Sequence, residues 1–277
     1  MDSFTNHGNR GLFKAGVISF AAAAGSVTAE AEAALQPKAP GETKIVAVMG
    51  GDYGHNHVPL EIHIRGIFAS KKDWRIIFVR ASRFFTPELL SDTDLLITSR
   101  SHRPDGLAFS SDGLVDILEK GDVFWTEEHV EAIIDNVRNR GMGFMALHNT
   151  LACGNRKIVD MLGIEPIGHN EIQPLWIGDL NPEHPITRGI GKIFIKFDEQ
   201  FAAVIKSGYT TTLFETTAMH DKRHAVGGWC LEHGKGRIVG LLPGHTQFTY
   251  EVPEYRDILW RSAHWALKRD IPPYPKA

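Results

Sequence analysis

Imidazoles and one guanidinium stand just beyond four separate apolar runs of this chain. Asp52, Tyr53, His55 and His57 follow the run Lys44–Met49, and Arg100 and His102 follow Asp94–Thr98. His148 and Asn149 close the run that begins at Gly143, and His245 follows Pro243-Gly244 after the run Arg237–Leu242. An imidazole titrates near neutrality, at about 6.5, so His148 and His245 can each take up or release a proton at physiological pH. Together with Glu199 they are the candidate catalytic residues. Asp52, His55, His57 and Asn149 can hydrogen-bond hydroxyls, while Tyr53, Arg100 and Trp176 can position or stack on a ring; these seven are the candidate substrate-binding residues. A lone histidine at a strand end can simply serve a buried backbone group, and His55 and His57 can be loop residues facing water. Four strand ends bearing related chemistry predict one shared pocket. His184, His220, His224 and His233 are expected in solvated loops, and His264 in a structural place on the last helix. Neutral imidazoles also bind zinc, with carboxylates completing the set, so a divalent metal is admitted. The H-E-x-x-H spacing is missing, and the sequence does not require one.

The elements that must position these groups emerge from hydrophobic pattern. Lys44–Met49 is a continuous apolar run bounded by Gly50-Gly51, as expected of a strand buried on both faces. Leu60, Ile64, Ile67 and Phe68 place a helix over about 58–70; strands are expected at Trp74–Val79, Asp94–Thr98 and Gly143–His148. Thr126 caps a helix with Glu127 and Glu128 in its first turn and Gly141 as its stop. This β-α-β-β-α-β order predicts an α/β fold with a mainly parallel sheet and helices on both faces. Residues 150–225, rich in proline, carry a short helix near 155–162 and candidate strands at Lys192–Lys196 and Tyr209–Phe214. Gly227–Glu232 and Arg237–Leu242 flank His233–Gly236, read as a four-residue hairpin loop, and the closing helix starts at Pro253. In such sheets ligands bind beyond the carboxyl ends of the strands, where the imidazoles lie.

Composition narrows the function classes. Acidic and basic residues nearly balance at a formal net charge of −3, and no polybasic block is present, so nucleic acid is not an expected partner. No Gly-x-Gly-x-x-Gly turn follows the first strand, which argues against a dinucleotide cofactor. Cys153 and Cys230 are the only cysteines, and their pairing stays open. Residues 1–40 form a signal-like or disordered N-terminal segment ahead of a domain spanning 41–277. Arg10 and Lys14 precede the apolar run Ala15–Ala24, too short for a stable membrane span, and small residues follow. This order predicts export to the periplasm; Asn9 stands where a twin-arginine signal has its first arginine, and a cytoplasmic chain is the alternative.

Several segments are similar to the ThuA-like (trehalose utilisation) family. Gly141-Met-Gly-Phe-Met-Ala-Leu-His148-Asn149 resembles its Gly-x-Gly-hydrophobic-Leu-His-Ser stretch, His184-Pro-Ile its His-Pro-Ile segment, and Phe197-Asp-Glu199-Gln-Phe201 its acidic-aromatic segment. Glu232-His-Gly-Lys-Gly236-Arg-Ile, then Pro243-Gly-His245-Thr and a helix with Trp260 and Trp265, resembles its C-terminal signature. The resemblance covers roughly residues 44–268 and implies a flavodoxin-like fold of the class I glutamine amidotransferase type. It further implies a small-molecule carbohydrate ligand: a disaccharide, glycoside or keto-sugar. Amidotransferases of that class carry a cysteine nucleophile at a sharp turn after a strand. Here that turn holds His148-Asn149-Thr150, and Cys153 lies beyond it. The expected activity is therefore a sugar hydrolase, lyase or isomerase working by histidine acid–base chemistry, with or without a metal. A non-catalytic sugar-binding or regulatory domain is the alternative, amide hydrolysis through Cys153 is third, and a homo-oligomer is left open.

Overall fold

The structure, a computed structural model, describes residues 36–50, 57–80, 82–102, 107–109, 115–117 and 123–275. Its compact unit runs from Pro37 to Ala277. In chain order the first strands are β1 (Thr43–Gly50), β2 (Trp74–Phe78), β3 (Leu95–Arg100), β4 (Leu107–Phe109), β5 (Val115–Ile117) and β6 (Gly143–Leu147). The later ones are β7 (Ile164–His169), β8 (Gln173–Gly178), β9 (Ile193–Asp198), β10 (Phe201–Ile205), β11 (Thr211–Ala218), β12 (His224–His233) and β13 (Gly236–Leu241). The helices are α1 (His57–Phe68), α2 (Pro87–Ser91), α3 (Glu127–Asp135), α4 (Arg156–Met161), α5 (Gln247–Glu251) and α6 (Pro253–Ala266).

Nine strands form one sheet in the order β2-β1-β3-β6-β13-β12-β11-β8-β9. The first five are mutually parallel. Numbered among themselves they run 2-1-3-4-5, the flavodoxin-like winding, which brings the carboxyl ends of β1, β3, β6 and β13 to one rim. All eight residues of β1 and all five of β6 are buried, so both sheet faces are covered. That is why these strands read as unbroken apolar runs rather than alternating ones. On one face Ile45, Ile97, Met145 and Val239 join the core with Ile64 of α1 and Ile258 of α6. α6 packs on β6 and β13. Its carboxyl end comes so close to β6 that a Cβ on Gly143 would lie 2.8 Å from the Ala266 carbonyl oxygen.

The expected helix signals operate as read. Thr126 Oγ1 accepts from the His129 amide at 3.3 Å, and Gly141 ends the segment at φ 98° after a π turn over Asn136–Arg140. The mainly parallel sheet that was expected is extended beyond β13 by β12, β11, β8 and β9 in antiparallel fashion. The hairpin loop is shorter than four residues, because His233 and Gly236 pair with each other and leave only Gly234-Lys235, with Gly234 at φ 60°. Strands β4, β5, β7, β8 and β10 were not expected at all. β7 and β10 form a separate two-stranded antiparallel ribbon in which Phe201 faces His169. No helix among the described residues is long and apolar enough to cross a membrane.

Candidate functional site

At the end of β6 the chain breaks sharply into a 3-10 turn, His148–Ala152, and His148 takes φ 28°. A non-glycine residue there stores about 1–3 kcal/mol of strain and persists only when its surroundings over-determine it. They do. His148 is fully buried, its Nδ1 lies 2.7 Å from the Leu242 carbonyl oxygen, and its ring meets Phe201 edge-on at 4.8 Å. Thr150 Oγ1 donates to the Thr98 carbonyl oxygen at 2.7 Å, tying the turn to β3. Because a carbonyl can only accept, Nδ1 carries a proton, which leaves Nε2 as the ring nitrogen that faces Glu199. Nε2 lies 3.4 Å from Glu199 Oε2.

Glu199 follows β9, and its neighbour Asp198 builds the other half of the site. Asp198 is fully buried and accepts from the amides of Glu199 (2.8 Å), Gly244 (2.7 Å) and His245 (2.7 Å) and from the Thr249 hydroxyl (2.5 Å). This carboxyl pins the turn after β13 to the end of β9. Burial pushes it above the usual carboxylate range, against the opposing charge of His148 and the donors of Thr249 and the amides. Gly244 adopts φ 146°, and Tyr255 donates to the Pro243 carbonyl oxygen at 2.6 Å. So fixed, His245 places Nδ1 3.4 Å from Glu199 Oε2, and its ring centroid 5.3 Å from that of His148. Burial alone would raise the Glu199 carboxyl; hydrogen bonding and charge from His148 and His245 overcome it and hold the group well below its usual range.

The three candidate catalytic residues, His148, Glu199 and His245, therefore meet in one cluster, with their donor atoms all within 4.8 Å of one another. Asn149 is buried in the turn beside His148. Arg100 is buried at the end of β3, its guanidinium 3.9 Å from the Phe124 ring centroid. Trp176 lies elsewhere on the sheet. Gln173 is the β8 residue paired with Asp198, and Trp176, three residues on, pairs with Phe194, against whose ring it packs at 4.9 Å with Lys192 over its face. Asp52, Tyr53 and His55 lie outside the described residues, and His57 is described only as the first residue of α1.

One residue of the cluster escaped the sequence reasoning. His169, on β7, sets Nδ1 2.7 Å from Glu199 Oε1 and is 54% exposed. No sequence signal placed it there, since its pairing with Phe201 is evident only from the β7–β10 ribbon. His184 departs from the solvated loop expected of it: it is half-buried, with Nε2 3.4 Å from Cys230 Sγ and its ring 5.4 Å from that of Trp265. His224 lies on β12 rather than in a loop, though exposed, and His264 is structural as expected, its Nδ1 2.9 Å from the Trp260 carbonyl oxygen. Both cysteines are free and buried. Burial pushes the Cys153 thiol up and that of Cys230 to about 12, so neither is poised as a thiolate nucleophile.

The sequence matches the family model ThuA, described as trehalose utilisation, over residues 45–266. Two solved structures similar to the chain are ThuA-like proteins. That from Parabacteroides merdae ATCC 43184 has a TM-score of 0.66 at 15% identity, covering 85% of this chain and 94% of that one. That from Bacteroides uniformis ATCC 8492 has 0.61 at 13%, covering 83% and 93%. The chain is also similar to part of a cold-adapted β-galactosidase from Rahnella sp. R3, with a TM-score of 0.53 at 14% identity, 84% of this chain and 32% of that one. At such identities the likeness concerns the fold. No curated protein matches the sequence.

Proposed function

Because the chain belongs to the ThuA family, we propose that it processes a carbohydrate, a disaccharide, glycoside or keto-sugar, by acid–base chemistry at His148, Glu199 and His245. The observation that carries this is one carboxylate oxygen, Glu199 Oε2, lying 3.4 Å from an imidazole nitrogen on either side. His148 is the base: its proton is committed to Leu242 on Nδ1, so Nε2 can accept one from a substrate hydroxyl or from a carbon beside a ketone. Glu199 stabilises the imidazolium that results. His245, partly exposed, is placed to return a proton to the leaving or rearranging oxygen. Asn149 and Arg100 are proposed to orient the sugar, and Asp52, Tyr53, His55 and His57 to add hydrogen-bonding and ring contacts from the segment after β1. The order of basic, apolar and small residues over 1–31 supports periplasmic action.

The test is incubation with trehalose and its oxidised (keto) derivatives, with products followed by NMR. His148→Ala and His245→Ala are expected to lose at least about 100-fold in turnover, the scale of a positioned acid or base, while retaining the native circular dichroism. Undiminished turnover in both variants discards the mechanism. Calorimetric sugar binding with no product assigns the pocket to recognition instead.

A further inference from the structure

The geometry points to a divalent metal site of the zinc type, with His148 Nε2, His245 Nδ1 and Glu199 Oε2 as protein ligands and His169 bracing the carboxylate from behind. It rests on the same centre as the proposed function. An ion held there would take the nitrogen lone pairs of His148 and His245 and would supply a Lewis acid in place of their proton transfers, and its binding is measurable without any substrate.

The distances carry the inference. A carboxylate bonded to an imidazolium normally closes to about 2.7–2.9 Å, and Glu199 does so on one side only, where Oε1 lies 2.7 Å from His169 Nδ1. Its other oxygen stands 3.4 Å from both His148 Nε2 and His245 Nδ1. Bonds of about 2.0–2.1 Å from a tetrahedral centre separate neighbouring donor atoms by about 3.3–3.4 Å. The two long separations therefore match edges of a zinc tetrahedron better than hydrogen bonds, and all three donors lie within 4.8 Å of one another.

The surroundings of each ligand fit as well. Ligating histidines characteristically donate their other ring N–H to a carbonyl or carboxylate, and ligating carboxylates are themselves hydrogen-bonded. His148 Nδ1 is held by the Leu242 carbonyl oxygen at 2.7 Å, and Glu199 Oε1 by His169. Asp198 fixes the backbone of Glu199 and of His245 at once, through amides at 2.8 and 2.7 Å. Two imidazoles and one carboxylate leave a fourth position open, as in catalytic rather than structural zinc sites.

The protein is stripped with a chelator, then titrated with zinc by calorimetry and with cobalt(II) by visible absorption. The wild type is expected to bind one equivalent of either ion, with the intense visible bands of four-coordinate cobalt, bleached by added zinc. Glu199→Gln and His245→Ala are each expected to weaken binding by more than about 100-fold, and His169→Ala by about 10–100-fold at unchanged stoichiometry, as for residues that brace a ligand. The inference is overturned if stripped wild type with native circular dichroism binds neither ion saturably. It is equally overturned if Glu199→Gln and His245→Ala bind as tightly as wild type. Metal binding without sugar turnover upholds the site and discards the proposed function; turnover by stripped protein that binds no metal does the reverse.

Discussion

The turn that carries His245 depends on a glycine for two separable reasons, and their costs can be measured apart. Gly244 sits at φ 146°, and a Cβ there would lie 2.5 Å from Tyr250 Oη, 3.2 Å from Tyr250 Cζ and 3.5 Å from His148 Cβ. Gly244→Ala therefore incurs backbone strain of about 1–3 kcal/mol and, against a fully buried tyrosine, an overpacking cost of about 1–3 kcal/mol. The expected loss of stability is about 2–6 kcal/mol. Tyr250→Phe removes the nearest clashing atom. Among the described residues the Tyr250 hydroxyl is buried without a hydrogen-bond partner, so this substitution alone should be neutral or stabilising. In the double variant the steric part should return and the backbone part remain, leaving a deficit of about 1–3 kcal/mol. Urea unfolding of the four proteins, with slopes compared to verify two-state behaviour, measures the cycle. The reasoning is refuted if Gly244→Ala is as stable as wild type, or if Tyr250→Phe recovers none of the loss.

Burial lowers the affinity of His63, His184, His233 and His264 for protons. The unfolded chain therefore binds more protons below its ordinary histidine value of about 6.5. Stability contributed by these neutral rings is complete above that pH and is lost as pH falls through the lowered folded values. Urea midpoints should decline on acidification from neutrality, less steeply in His264→Gln; a flat profile in wild type contradicts this. Iodoacetamide should label neither Cys153 nor Cys230 in the native protein, and Cys153→Ser should leave sugar turnover intact; loss of turnover with that substitution would restore the thiol as a candidate nucleophile.

The local sequence determined the parallel half of the sheet and the chemistry at its rim. β1, β3, β6 and β13 are buried on both faces, so their apolar runs stand out without any knowledge of neighbours. Parallel winding alone then sends His148, next after β6, and His245, just beyond β13, to one edge. Tertiary structure decided the rest. β7 contains Pro166 and Gly168 and exposes Ile167 at 66%, and its partner β10 slips register between Ala202 and Ala203. A strand half in water and interrupted by proline carries no clean period, so His169 could not be placed. Glu199 was named from the sequence as a catalytic candidate, but its place between the two imidazoles was not, because that depends on Asp198 gathering amides 46 and 47 residues away. Spacing along the chain names groups capable of acid–base or metal chemistry; only the closing of long loops onto a buried carboxyl sets the few ångströms between them.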